Sequence, residues 1–238
     1  MKAIVNFLAT AWIASGALLL GAPSLHAEPL VYVPLGSESK IAIIDAAKDQ
    51  IIGIIDVLQA VHGLSGTPDG RFLIAGSYSE RSVDITPVKP KSVSEDEHAA
   101  HHKAPSVQKE ESDIALVSTV SVVQISDGEV VRTIDVPGAV HHVSVSPNGR
   151  YTAVTRPNEG GISIIDLTNF EIVGNISTGE LPNYSVFSPD NKQLFVSNAG
   201  DGTISVINGE SWVVEMIIPV GTSPEHIVLS KDGKILYV

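Results

Sequence analysis

Short runs of alternating apolar and polar residues recur along this chain, separated by residues that favour turns. Residues 139–180 contain four such runs, which are rich in β-branched side chains and bounded by Pro, Gly, Asn and Asp. The runs are His142–Ser146, Tyr151–Thr155, Gly161–Asp166 and Glu171–Ile176. Alternation of this kind is typical of short strands joined by tight turns. It predicts a four-stranded antiparallel meander, whose strands we label A to D in chain order.

Two sequence markers indicate that this unit repeats. The first is a residue in the turn between strands A and B, and the second is the residue that closes strand C. Both recur at steps of 79, 42 and 42 residues. The first marker falls at Pro68, Pro147, Pro189 and Lys231, and the second at Asp45, Gln124, Asp166 and Asn208. The period is therefore 42 residues, and the long first step predicts a 37-residue insertion between strands B and C of the second unit, within about 77–119.

A four-stranded unit of about 40 residues is typical of a β-propeller blade. Because one blade cannot cover both of its apolar faces, neighbouring units are expected to stack around a common axis. The runs Ile227–Ser230 and Ile235–Val238 predict strands A and B of a fifth unit, while the first unit begins at its B strand, Pro29–Pro34. We therefore expect an all-β fold with about four blades plus the start of a fifth, as part of a truncated propeller of about seven or eight blades. The alternative is a four-bladed ring in which the last A strand completes the first blade.

The first 27 residues follow a different pattern. Lys2 precedes an apolar run over 3–21, and the small residue Ala27 stands before Glu28. This arrangement predicts a secretory signal peptide over residues 1–27, and a retained membrane anchor is the alternative. The mature chain would span 28–238, with no membrane span after cleavage and a periplasmic or secreted location. Its 211 residues are enough for one large all-β domain.

Charge and cysteine content narrow the classes of partner. Without Lys2 the chain has 14 basic and 27 acidic residues, a net charge of −13. An acidic surface repels phosphate backbones, which argues against nucleic acid and against anionic membrane surfaces. The chain contains no cysteine, so it forms no disulfide and cannot carry a covalently attached c-type haem.

The start of strand A carries the candidate binding residues. Equivalent positions in successive units are His62, His141, Asn183 and Glu225, and one position later Gly63, His142, Tyr184 and His226. Strand A is the innermost strand of propeller blades, so these side chains are expected around one end of the central axis. Imidazoles and carboxylates ligate transition metals, imidazole ligates haem iron, and histidine also serves as an acid or base. The alternative is that polar residues merely line the water-filled mouth of a channel.

Two further sets of residues are candidates. Arg156, just beyond a B strand, is expected on the same face, where it would hold a carboxylate or simply face water. The insertion contains His98, His101 and His102, which would share one face of a helix and could bind copper, nickel or zinc. A solvated, charge-rich loop is the alternative for that segment.

Signatures of catalysis are scarce in the sequence. There is no nucleophile elbow and no glycine-rich phosphate loop that opens a helix. The aspartates that close C strands, Asp45 and Asp166, are interpreted as turn formers, since Asp side chains readily hydrogen-bond to nearby backbone.

Three motifs in the fourth unit resemble the YVTN repeat family of β-propellers. They are Ser188-Pro189-Asp190, Leu194-Phe195-Val196-Ser197-Asn198 and Thr203-Ile204-Ser205-Val206-Ile207-Asn208, and Ile235-Leu236-Tyr237-Val238 resembles the start of another copy. The resemblance covers nearly all of 28–238 except the insertion. It implies a propeller fold and a relation to the haem d1 domains of periplasmic nitrite reductases. In those relatives, histidines on the central face ligate iron or face the substrate, and His62, His141, His142 and His226 are the positions here that could match.

The sequence thus favours an exported propeller that binds an unknown protein or small molecule on its histidine-bearing face. The second hypothesis is a redox or cofactor-assembly protein of the haem d1 class. This chain lacks the haem c domain that feeds electrons to such reductases, which argues against nitrite reduction by the chain alone. The third is a copper-, nickel- or zinc-handling protein that uses the insertion.

Overall fold

The computed structural model describes residues 29–57, 59–84 and 114–238. The predicted signal peptide and the histidines of the insertion lie outside the described residues. The described chain forms antiparallel sheets linked by tight turns and two short 3-10 turns, and it contains no α-helix. The prediction of an all-β fold is therefore confirmed.

The strands follow the predicted A-to-D order. The first sheet contains β1 (Leu30–Leu35), β2 (Lys40–Asp45) and β3 (Gln50–Asp56). The second contains β4 (Val61–Gly66), β5 (Phe72–Ser77), β6 (Arg81–Asp84), β7 (Ile114–Gln124) and β8 (Val130–Pro137). The third contains β9 (Val143–Val145), β10 (Tyr151–Arg156), β11 (Gly161–Asp166) and β12 (Glu171–Ser177). The fourth contains β13 (Pro182–Phe187), β14 (Gln193–Asn198), β15 (Thr203–Asn208) and β16 (Val214–Pro219), and β17 (Val228–Leu229) pairs with β18 (Leu236–Tyr237).

The register of the sheets confirms the repeat. Each residue predicted to close a C strand is the last residue of that strand, and it pairs with the first residue of strand B. The pairs are Asp45 with Leu30, Gln124 with Phe72, Asp166 with Tyr151, and Asn208 with Gln193. The sheets, referred to below as blades 1 to 4, therefore share the register of strands B and C.

The pairing of the final strands differs from the pairing that a closed four-bladed ring would require. Strand β17, an A strand, pairs with β18, and the first sheet has the order β1-β2-β3 with no fourth strand among the described residues. The last A strand thus does not complete the first blade.

The insertion extends one hairpin of blade 2. Strand β7 starts at Ile114, inside the predicted insertion of about 77–119, and its first residues pair with β6 while its later residues pair with β5. An ion pair between Arg81 and Asp135 ties β6 to β8, with nitrogen and oxygen 2.5 Å apart. The ends of the insertion are thus ordered strand, and residues 85–113 lie outside the described residues.

The A strands are innermost, and the core lies between the blades. Strands β4, β9 and β13 contact one another in succession, and the B strands of blades 1 to 3 also contact the A strand of the following blade. Three clusters of buried, mostly aliphatic residues lie between neighbouring sheets; one contains both Ile74 and Val154, and another both Ile164 and Leu194. Stacking therefore buries the apolar faces that single blades would expose.

An aromatic wedge recurs at the turn between strands C and D. The equivalent residues Asp49, Gly128, Phe170 and Trp212 all have a positive φ, between 52° and 76°. Phe170 packs edge to face against Phe72 of the preceding blade, with ring centroids 6.4 Å apart. Trp212 packs in the same way against Tyr151 at 4.9 Å. These turns therefore contribute to contacts between blades as well as reversing the chain.

Candidate functional site

The residues at the first of the two predicted strand-A positions form a chain of hydrogen bonds that runs from blade to blade. His62 donates through Nδ1 to the carbonyl oxygen of His141 at 2.8 Å. His141 donates through Nδ1 to the carbonyl oxygen of Asn183 at 3.2 Å. The side-chain amide of Asn183 in turn donates to the carboxylate of Glu225. Residues that are equivalent in the repeat are therefore direct neighbours in space, as expected for A strands gathered around one axis.

These hydrogen bonds fix the tautomers of two histidines. A backbone carbonyl only accepts hydrogen bonds, so Nδ1 carries the proton in both His62 and His141. In the neutral ring, Nε2 then holds the lone pair that can accept a hydrogen bond or ligate a metal. Orientation of a ring by a carbonyl at Nδ1 is the arrangement that supports histidine ligands in metal sites.

The aromatic residues at the second predicted strand-A position pack against one another. The rings of His142 and Tyr184 have centroids 3.6 Å apart at an interplanar angle of 23°, and Tyr184 lies 4.4 Å from the ring of His226. The equivalent residue of blade 2 is Gly63. A Cβ there would lie 2.8 Å from Cγ2 and 2.9 Å from the backbone nitrogen of Val143, so the close approach of β4 and β9 requires glycine.

Buried hydroxyl groups position the start of strand A. Thr155 accepts a hydrogen bond from the backbone of His142 at 2.9 Å and donates to the carbonyl of Asn183 at 2.9 Å. Ser197 does the same one blade later, accepting from Tyr184 at 3.0 Å and donating to the carbonyl of Glu225 at 2.7 Å. Sequence reasoning missed this role. The signal was present as a hydroxyl residue that recurs in strand B at the 42-residue step.

His141 and His142 are held in the neutral form. Burial, with a smaller effect from the charges of neighbouring histidines, lowers the pKa of His142 to about 3. The backbone N–H of Ser185 donates to Nδ1 of His142 at 3.2 Å, which requires an unprotonated nitrogen there. Burial also lowers the pKa of His141, although its hydrogen bond to Asn183 opposes this shift. At neutral pH these rings are therefore uncharged acceptors and donors.

The site surrounds a cavity of about 400 Å³. Six of the eight predicted binding residues line it: His62, His141, His142, Tyr184, Glu225 and His226. Tyr32, Pro34 and Leu64 complete most of the wall, and none of the lining residues is Lys or Arg. Asn183 is not in the wall, but its side-chain amide donates a hydrogen bond to the carboxylate of Glu225. The cavity therefore offers hydrogen-bond acceptors, aromatic faces and one carboxylate.

Arg156 lies apart from this cavity. It is 5% exposed, and it donates through Nη2 to the carbonyl of Ile162 at 3.1 Å and through Nη1 to that of Pro137, in the preceding blade, at 3.5 Å. Burial lowers its pKa, and the nearby carboxylate of Glu159 opposes that shift. Its predicted role in holding a carboxylate stays a prediction.

Metal binding was the other predicted chemistry. Within residues 29–57, 59–84 and 114–238, no group of three or more His, Cys, Asp and Glu side chains is arranged to hold a metal ion. His98, His101 and His102 lie outside the described residues, so their predicted metal site stays a prediction. In the described part of the chain, no helix has the length and hydrophobicity needed to span a membrane.

Comparison with known proteins identifies the fold. No protein-family model and no curated protein sequence matches the chain. Its structure is similar to Kuenenia stuttgartiensis hydrazine synthase, with a TM-score of 0.66 and 20% identity over 87% of this chain and 51% of that one. It is also similar to the β-propeller domain of Cps50 (Swd1) from Myceliophteria thermophila, with a TM-score of 0.58 and 12% identity over 83% of this chain and 54% of that one.

A third similar structure is the dihydro-haem d1 dehydrogenase NirN in complex with DHE. Its TM-score is 0.59 at 16% identity, over 88% of this chain and 39% of that one. These similarities define the chain as a β-propeller fold, and it spans between 39% and 54% of the length of these three structures. Membership of the YVTN family stays a prediction.

Proposed function

We propose that this chain is part of an exported YVTN-type propeller that binds a ligand or partner through its histidine-bearing central face. The observation that carries the proposal is the convergence of repeat-equivalent residues from blades 2 to 4 and the following A strand on one cavity of about 400 Å³. The proposal of export rests on the sequence of residues 1–27, which has the pattern of a signal peptide.

The walls of the cavity indicate the chemistry of the ligand. His62 and His141 hold lone pairs on Nε2, Glu225 is a carboxylate, and no cationic Lys or Arg lies in the wall. A ligand that donates hydrogen bonds or carries positive charge complements this set, whereas an anion finds no fixed cation. The stacked rings of His142 and Tyr184 add an aromatic surface against which a planar or cationic group can pack.

A titration with L-arginine amide, a cationic hydrogen-bond donor, tests this proposal. We expect binding that Glu225→Gln weakens about tenfold, since a charge-assisted hydrogen bond is lost. His141→Asn is the second variant: the amide of asparagine supplies an N–H donor in place of Nδ1, and the substitution removes Nε2. Glu171→Gln, on the outer strand β12, is the matched control. Equal affinity of the Glu225 and Glu171 variants, or no binding by the wild type, would exclude this site.

A tetrapyrrole is the second candidate ligand, and the similarity to NirN in complex with DHE supports it. The donor set fits an iron ligand, because the Nδ1 atoms of His62 and His141 are engaged with backbone carbonyls, which leaves Nε2 of the neutral rings as the atom that could ligate iron. Haem iron would supply redox chemistry at such a site. The fit is incomplete, since no Lys or Arg in the cavity wall would pair with carboxylates of the macrocycle. We therefore rank this function second.

Titration with hemin, followed by its absorption spectrum, separates the two candidates. If the tetrapyrrole function is correct, hemin binds with one-to-one stoichiometry and a shifted main absorption band. The shift should disappear in the His62→Asn, His141→Asn double variant, which keeps the Nδ1-type donors. A spectrum unchanged by wild-type protein would exclude this candidate and leave the first.

A further inference from the structure

The junction between blades 1 and 2 contains a groove beside the outer strand of blade 1. It has a volume of about 600 Å³, and its floor is made of Ile43, Ile54, Ile55 and Ile125. Ile55 is 6% exposed and belongs to the core, whereas Ile54 is 48% exposed. The groove is thus lined by both core and surface isoleucines.

The repeat explains why this groove exists. At the junctions between blades 2 and 3 and between blades 3 and 4, the C–D turn inserts Phe170 and Trp212 against the preceding blade. Arg132 lies 5.8 Å above the ring of Phe170, and an ideal Cβ on Gly174, at the position equivalent to Arg132, would lie 4.0 Å from Cβ of Trp212. The aromatic wedge therefore covers the outer strand of the preceding blade.

At the junction between blades 1 and 2, glycine stands both at the position of the aromatic wedge and at the facing position on the outer strand. Gly128 replaces the wedge, and Gly53 occupies the position of Arg132 and Gly174. The backbone of Gly128 has a φ of 76°, close to the 62° and 57° of Phe170 and Trp212. An ideal Cβ on Gly128 would meet Cγ1 of Ile55 at 3.4 Å, which is ordinary van der Waals contact. The groove is therefore open because side chains are missing, while the backbone keeps the geometry that elsewhere presents an aromatic ring.

The rim of the groove is acidic. Asp56, Asp127 and Glu129 lie around it and are exposed, and no Lys or Arg is among its lining residues. An occupant must therefore combine an apolar ring with positive charge. We propose that this groove is the docking site for an aromatic side chain of a partner protein, flanked in that partner by Lys or Arg residues.

The energetics favour such an occupant. A Trp or Phe ring gains by leaving water for the isoleucine floor, as Phe170 and Trp212 do within this chain. The flanking cations gain from the three carboxylates at the rim, and this attraction weakens as salt is added because the rim is exposed. The partner's ring would thus occupy the position that the chain fills for itself in the next two junctions.

Three matched peptides test the proposal by NMR chemical-shift mapping on the isotope-labelled 238-residue protein. They are Ac-Lys-Trp-Lys-NH2, Ac-Glu-Trp-Glu-NH2 and Ac-Lys-Ala-Lys-NH2. We expect the first to shift the amide signals of Gly53, Ile55 and Gly128, with an affinity about tenfold above that of the acidic peptide. The alanine peptide should leave those signals unchanged. Equal binding of the two Trp peptides, equal binding of the two Lys peptides, or no shift at these residues would overturn the proposal.

Gly128→Trp is the decisive variant, because it fills the groove from within. We expect it to lower the affinity for Ac-Lys-Trp-Lys-NH2 at least about tenfold while the protein stays folded, since Trp212 adopts the same backbone conformation. If Gly128→Trp is folded and binds the peptide as wild type does, the groove is not the docking site.

Discussion

Tyr151 and Trp212 meet edge to face across two neighbouring blades, with ring centroids 4.9 Å apart. They lie 61 residues apart in the chain. Trp212 also packs against a buried cluster that both blades share. The contact therefore joins two repeat units that are neighbours in space.

Trp212→Ala should lower the free energy of unfolding by about 2 kcal/mol, less than for a fully buried tryptophan because the ring is half-buried. Trp212→Phe reproduces the wedge of the preceding blade and should lose less than about 1 kcal/mol. Urea denaturation measures both values. If the two variants were equally stable, the ring contact would not contribute to the junction.

Gly63→Ala should be strongly destabilising. The added Cβ would lie 2.9 Å from the backbone nitrogen of Val143 and 3.0 Å from the backbone carbon of His142, so β4 and β9 would have to separate. We expect a loss of about 2 to 3 kcal/mol in the free energy of unfolding. Gly66→Ala, in the same strand, is the matched control, because its nearest neighbour would be 3.8 Å away. Similar losses for both would show that strand propensity, and not close packing, is responsible.

The stability of the protein should fall between pH 6.5 and pH 4. His142 has a pKa lowered to about 3 in the folded state, against an ordinary value of 6.5 in the unfolded chain. The unfolded state therefore binds more protons in this range, and the free energy of unfolding decreases as pH falls. His141 acts in the same direction, since its pKa is also lowered.

His142→Gln checks this assignment. The variant should show a weaker pH dependence than wild type in urea denaturation between pH 6.5 and 4. The variant is needed because the Asp residues whose pKa values are lowered from 3.8, as for Asp69 at about 2, also reduce stability below about pH 5, and only the part of the slope that His142→Gln removes belongs to His142. An unchanged pH dependence in the variant would mean that His142 is not the group that titrates.

Asp166 stabilises the turn that follows strand C in blade 3. It is 5% exposed, accepts from the backbone and hydroxyl of Thr168 at 2.9 and 2.6 Å, and pairs with Arg150 at 3.1 Å. Asp166→Ala should lower the free energy of unfolding by about 2 kcal/mol, because the backbone N–H and hydroxyl of Thr168 lose their charged acceptor. Asp166→Asn keeps an acceptor oxygen and should lose about half as much. Thermal or urea denaturation that finds alanine no worse than asparagine would contradict this role.

Much of the fold could be predicted from the sequence. Strand C of blade 3, Gly161–Asp166, has the predicted bounds, and the residues that close C strands lie where the repeat placed them. Strand ends were less accurate: strand A of blade 3 is Val143–Val145, shorter than predicted, because His142 lies where the strands meet the central cavity. Alternation and turn residues act over a few positions, so they report local structure well.

The site could be predicted only in part. The period indicated that His62, His141, Asn183 and Glu225 share one place in the fold, and the structure joins them by hydrogen bonds. Tyr32 lines the same cavity although it belongs to a B strand, which no position in the repeat indicated. Arg156 was expected on the same face, yet its guanidinium reaches toward the preceding blade. Side-chain direction depends on neighbours distant in sequence, and no local pattern encodes them.

The sequence by itself determined the repeat, the order of strands and the residues that share each structural position, because a 42-residue period carries that information in every copy. Only the tertiary structure decided which copies touch, which histidine nitrogens carry protons, and where a missing side chain leaves space. Those features depend on distances of a few ångströms between blades. Such distances are set by packing between the sheets, which the alternation of apolar and polar residues along one strand does not specify.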